Sequence, residues 1–167
     1  MRRALSILGQ ACLYALFAAA VGWFSSRPIY QHLAPDQALL KLSFSHPGQL
    51  RAECRERSAA ELARLPPNMR QTLDCPRERS PVTVEIALDG QVLARRVAQP
   101  AGLSHDGPST LYARFTVPAG ERHLAVHVND SVRVSGFNHV REQTVQFVPG
   151  RIVVVDFEPA KGGILIQ

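Results

Sequence analysis

Val82-Thr83-Val84-Glu85-Ile86-Ala87-Leu88-Asp89-Gly90-Gln91-Val92-Leu93-Ala94-Arg95-Arg96-Val97 reads as a β-hairpin. Its first limb alternates apolar and polar side chains with the period of two that sends every second residue to a core, and Asp89-Gly90 accepts the left-handed backbone of a two-residue turn. Strand follows strand from there to the end of the chain. After a Gly- and Pro-containing segment, 99–109, come Leu111, Ala113, Phe115 and Val117, and Pro118-Ala119-Gly120 turns the chain into Leu124, Val126 and Val128. Val145 and Phe147 lead through Pro149-Gly150 into Ile152–Phe157, a run apolar on both faces and therefore expected at the centre of a sheet. Ile164–Ile166 supplies a short last edge strand. Upstream of the hairpin, Leu40, Leu42 and Phe44 alternate as a first half-buried strand ending near His46-Pro47-Gly48. Seven or eight short antiparallel strands, with no helical pattern long enough for a βαβ unit, predict a mainly β fold. Its expected form is an antiparallel two-sheet sandwich of the immunoglobulin (Ig) kind.

Between the first strand and the hairpin the strand period stops. Ser58-Ala59-Ala60-Glu61 has the spacing of a capping box and leads into Leu62 and Leu65, so one short helix is expected, stopped by Pro66-Pro67. Cys54 and Cys75 flank this excursion, 54–75. In an oxidising compartment two such cysteines are expected to form a disulfide that clips it to the sheet; no CxxC or His-Cys spacing suggests zinc.

The N-terminal segment, 1–26, differs from all of this. No charged residue falls between Ala4 and Ser26, and Ala4–Phe24 as a helix would span about 31 Å, the thickness of one hydrocarbon core. Arg2 and Arg3 precede the run, which by the positive-inside rule puts the N-terminus in the cytoplasm and everything after the anchor outside. Ala18-Ala19-Ala20 offers the small residues of a signal-peptide cleavage site. Because Val21, Trp23 and Phe24 prolong the apolar run beyond them, a retained single-span anchor is the favoured reading. Cys12 lies inside it. The expected organisation is thus an anchor over 1–26, a linker over 27–37 and an exported β-sandwich domain over 38–167.

The formal charge of +5 suggests nucleic acid until it is divided. From Pro28 onward 16 basic residues face 14 acidic ones, and the seven arginines between Arg51 and Arg79 are interspersed with Glu53, Glu56, Glu61, Asp74 and Glu78. That pattern predicts a solvated, ion-paired surface and no nucleic-acid partner. The Arg-rich, Lys-poor usage points to a bacterium, in which the anchor would lie in the inner membrane and the domain in the periplasm.

The Asp-Gly hairpin, the phrase Val117-Pro118-Ala119-Gly120 with Glu121-Arg122-His123-Leu124-Ala125-Val126 after it, and Val148-Pro149-Gly150 before a Val-rich strand resemble the PEGA and transthyretin-like modules of bacterial envelope proteins. The resemblance covers roughly Pro81 to Phe157, carried by turn chemistry without the PEGA tetrapeptide itself. It implies a non-catalytic role in adhesion, assembly or scaffolding.

Candidate chemistry is sparse. Ser104-His105-Asp106 contains the residue types of a hydrolase triad, but triad members converge from separate elements, so a turn with polar side chains is the expectation. His123 and His127 stand four apart in a strand, about 13 Å, too far to share an ion. Asn129-Asp130-Ser131 reads as a turn. The loops most open to a partner or ligand are those of His105 and Asp106 and of Phe137 and His139. No catalytic, cofactor or metal residue is assigned. The chain is expected to be a non-enzymatic accessory or assembly protein with a protein partner in the membrane or periplasm; the alternative is a periplasmic ligand- or metal-binding protein that uses those same loops.

Overall fold

A computed structural model of the chain describes residues 2–27 and 33–167. It divides into two units at Ala34/Pro35. The first is helix α1 (Arg2–Ser26), long and apolar enough to cross a membrane. Leu5, Ile7, Leu8, Leu13, Leu16, Phe17 and Val21 are all exposed around it, so no single face is set aside for packing within this unit. Its last turn is closed by Ser26 Oγ donating to Gly22 O and by the Arg27 guanidinium over the Trp23 ring. Of the expected linker, 28–32 lies outside the described residues, and Gln37 already belongs to the first strand.

The second unit is mainly β. Its strands are β1 (Gln37–His46), β2 (Arg55–Glu56), β3 (Leu73–Asp74), β4 (Val82–Leu88), β5 (Gln91–Ala98), β6 (Ser109–Pro118), β7 (Gly120–Asn129), β8 (His139–Phe147), β9 (Ile152–Glu158) and β10 (Gly163–Ile166). Eight of them make two four-stranded sheets, ordered β10-β9-β1-β6 and β5-β4-β7-β8, while β2 and β3 pair as a separate ribbon. Alternation decides which face is buried: Ala38, Leu40, Leu42 and Phe44 of β1, Val82, Val84, Ile86 and Leu88 of β4, and Leu124, Val126 and Val128 of β7 join one hydrophobic cluster with Val153, Val155 and Phe157 of β9. Burying each of the Val, Leu, Ile and Phe side chains stabilises the fold by about 1.5–3 kcal/mol. The hairpin turn is as expected, with Asp89 and Gly90 both at positive φ. The Asp89 carboxyl accepts from the His123 backbone N–H and from Arg122, which hold it below the ordinary carboxylate range.

Two expectations are corrected. The sheets are not wholly antiparallel, because β1 runs parallel to β9, Leu39–Leu42 lying beside Ile152–Val155. Hydrophobic periodicity says which face of a strand is buried but nothing about the direction of its neighbour. Second, β9 is internal to its sheet, yet only Val153, Val155 and Phe157 are buried; Ile152 is exposed and Val154 half-buried, since nothing in this unit covers the outer face fully.

The excursion after β1 contains α2 (Ala59–Arg64), whose capping box forms as the sequence implies: Ser58 Oγ accepts from Glu61 N and the Glu61 carboxylate accepts from Ser58 N. Cys54 and Cys75 are disulfide-bonded, and the β2–β3 ribbon starts directly inside the bridge. The ribbon was not foreseen, because two-residue strands leave no period to read. The Ser58 backbone and side-chain donors, with Arg55, pull the Glu61 carboxyl from the ordinary 4.5 down to about 2. A depressed folded-state value means that the cap's contribution is complete above about pH 4.5 and is lost as the pH falls toward 2. Protection of the 59–64 amides, taken relative to intrinsic exchange at each pH, should therefore fall across that window, and Glu61→Gln should make that protection independent of pH; a variant whose protection still falls as in the unchanged chain would disprove the assignment.

Candidate functional site

The eight strands of the two four-stranded sheets run between two unlike ends. At one lie the Asp89-Gly90 turn, the Pro118–Gly120 turn and the Val148–Arg151 turn, and there the chain arrives, with Ala119 N donating to Asp36 O and Gly150 N to Gln37 O. About 33 Å away along β1, the other end holds the long connections: 47–81, 99–108, 130–138 and 159–162. Loops carried on a rigid sheet are where binding residues concentrate.

A buried carboxylate organises this end. Asp130 follows β7, and its side chain is only 4% exposed. Its Oδ1 accepts from Gln49 Nε2 at 3.1 Å and Asn138 Nδ2 at 2.6 Å, and its Oδ2 accepts from His46 Nε2 at 3.0 Å. His139 at the start of β8 brings Nε2 to 3.7 Å from Oδ1, beyond hydrogen-bond length, and that nitrogen is buried with no hydrogen-bond partner. The rings of His46 and His139 pack edge-on against Phe157, at 4.8 and 4.9 Å. One carboxylate therefore joins the end of β1, the 48–49 segment, the 130–138 loop and the start of β8. A buried charge of this kind persists because its lone pairs are taken up by donors.

The backbone around it is equally tight. Gln49 N donates to Asp130 O and Ser80 N to Gln49 O. A Cβ on Gly48 would stand 2.1 Å from Ser80 O, so only glycine fits where His46-Pro47-Gly48 leaves the sheet. Ser80 Oγ, fully buried, accepts from Val132 N, and Arg79 spans from Gly48 O to Asp106 O.

His105 and Asp106 serve this frame mainly through their carbonyls, which accept from the Arg79 backbone and guanidinium. His105 takes a positive φ in the turn and lines a cavity of about 100 Å³ with Arg51, Glu78, Arg79 and Pro100. No side-chain hydrogen bond links Ser104, His105 and Asp106, and His105 and His139 line different features. Phe137 folds back onto the outer face of β5-β4-β7-β8, 5.2 Å from the His127 ring and beneath the Arg95 guanidinium. On that face His127 stands between Glu85 and Glu142. Among the described residues, no group of three His, Cys, Asp or Glu side chains is placed to hold a metal ion.

Asn129-Asp130-Ser131 does turn the chain, Ser131 N donating to Asn129 Oδ1. What the sequence concealed is that its middle residue is buried by His46, 84 positions away. The exposed side chains at this end include large apolar ones: Leu103 is fully exposed, and Val132, Val134, Met69 and Leu73 are substantially so. No known family model matches the chain, and neither does any curated protein or solved structure.

Proposed function

We propose that this chain is a non-enzymatic accessory or assembly protein of the bacterial inner membrane, anchored by α1 with its N-terminus in the cytoplasm. In this reading the second unit is a periplasmic β-sandwich whose loop end docks on a protein partner. The observation that carries it is the asymmetry of the second unit: tight turns where the chain arrives, and at the opposite end three long loops braced on Asp130, Ser80 and Arg79, from which Leu103 stands fully exposed. Apolar side chains held out on an ordered frame are a docking surface in waiting. The charge-free, largely apolar stretch of α1 after Arg3 and the disulfide support the membrane and periplasmic parts.

A photo-crosslinking amino acid placed at Leu103 or Val134 in the full chain, in its native cells, should give one discrete protein adduct, whereas placement at Gln91 in the hairpin turn should give none. Equal labelling from both ends would overturn the reading. A C-terminal alkaline phosphatase fusion should be active in the same cells; an inactive fusion would reverse the orientation.

A further inference from the structure

The disulfide-clipped excursion is ordered without a core. Neither α2 nor the 3-10 turn Pro67–Met69 contains a buried residue. What holds its shape is the disulfide, the ribbon and a set of ion pairs: Arg55 to Glu61 and Asp74, Arg57 to Asp74, and Arg51 to Glu78 at its base. A segment held this firmly, with nothing of its own to bury, adds little to the core and presents a surface.

That surface contains a groove of about 540 Å³ lined by Arg57, Arg70, Gln71, Thr72, Leu73, Asp74 and Arg77 with Cys75. The charges in it do not balance. Asp74, its one carboxylate, already takes Arg57 and Arg55. Arg70 donates from Nε to Leu65 O and, among the described residues, has no carboxylate within ion-pair distance. The Arg77 side chain is 84% exposed, and among the described residues Asp106, at 3.5 Å, is the one carboxylate within ion-pair distance. Two guanidiniums thus keep most of their donors available. Exposed Leu73 lines the same groove, and exposed Met69 adjoins Arg70 in the chain. Guanidinium forks match carboxylates in two-point hydrogen bonds, and an apolar neighbour favours a ligand that also carries apolar side chains.

Resting on the proposed partner-docking role, we infer that this groove receives an acidic, partly apolar peptide segment of the partner, with Arg70 and Arg77 gripping its carboxylates. The test uses the full chain in neutral detergent and a fluorescein-labelled peptide of four Glu-Glu-Leu repeats, read by anisotropy. Saturable binding is expected. Arg70→Gln combined with Arg77→Gln should weaken it about tenfold or more, and raised salt should weaken it in the unchanged chain. Lys41→Gln with Arg114→Gln, on the outer face of the β10-β9-β1-β6 sheet, should leave it unaltered. Absence of saturable binding, or equal loss from the Lys41/Arg114 pair, would overturn the inference. Displacement by inorganic phosphate or phosphatidylglycerol vesicles as effective as by unlabelled peptide would also overturn it, by assigning the groove to phosphate. If the peptide fails while the Leu103 crosslink persists, the groove alone is wrong; if both fail, the docking reading falls with it.

Discussion

Asp130→Ala is expected to cost the second unit about 3–5 kcal/mol, the penalty for removing one partner of a buried charge cluster. Three donors, His46 Nε2, Gln49 Nε2 and Asn138 Nδ2, would lose their common acceptor, a side chain only 4% exposed. Asp130→Asn keeps the volume and one carbonyl oxygen but turns an amide N–H₂ toward a donor, so its cost should be smaller, about 1–3 kcal/mol. Urea unfolding of the full chain in detergent measures both, and a loss below about 1 kcal/mol for the alanine variant would mean that the carboxylate is not what joins these loops. The damage should be concentrated: amides of 130–138 should lose protection before those of Val84 or Val126.

Removing the disulfide by Cys54→Ser with Cys75→Ser should have the second largest effect and a different distribution. Closing a loop of about 20 residues is worth roughly 3 kcal/mol in unfolded-chain entropy, and α2 buries nothing that could compensate. Residues 55–74 should then exchange their amides almost as an unfolded chain does. The base of the excursion should survive, because Arg51 N still donates to Glu78 O and Ser80 N to Gln49 O. Hydrogen exchange resolved by residue separates these regions; a parallel loss of protection in Val155 or Leu42 would show that the bridge supports the sheets as well.

Features written in adjacent residues were legible from the sequence. The Asp89-Gly90 turn, the Ser58/Glu61 capping box and the alternating strands each depend on neighbours within a few positions, and each stands where it was expected. The disulfide was legible because its two cysteines had no competing partner outside the apolar segment. What stayed hidden was pairing at a distance. Nothing local distinguishes Asp130 in a solvated turn from Asp130 under His46 and His139, and nothing in Ile152–Phe157 states that its neighbour will be Leu39–Leu42 running the same way. The groove was hidden too: the alternating charges of 51–79 suggested mutual neutralisation, and only side-chain placement reveals that Glu78, Glu61 and Asp74 are taken by Arg51, Arg55 and Arg57 while Glu53 turns to Arg133.

The parallel pairing of β1 with β9 also sets the order in which the protein can assemble. The sheet of β4, β5, β7 and β8 closes through two hairpins and one further antiparallel pairing, all within a continuous stretch of chain. β1 is synthesised before any of them, yet its two flanks wait for Ser109–Pro118 and then for Ile152–Val155. Pairings so far apart in sequence form late, since the intervening chain must be closed before they are rewarded. A nascent chain therefore carries Leu40, Leu42 and Phe44 on a strand that is unpaired until Ser109–Pro118 has been made and open along one edge until Ile152–Val155 follows. Any truncation before β9 leaves that edge permanently open, so the first sheet strand to leave the ribosome is among the last to be completed.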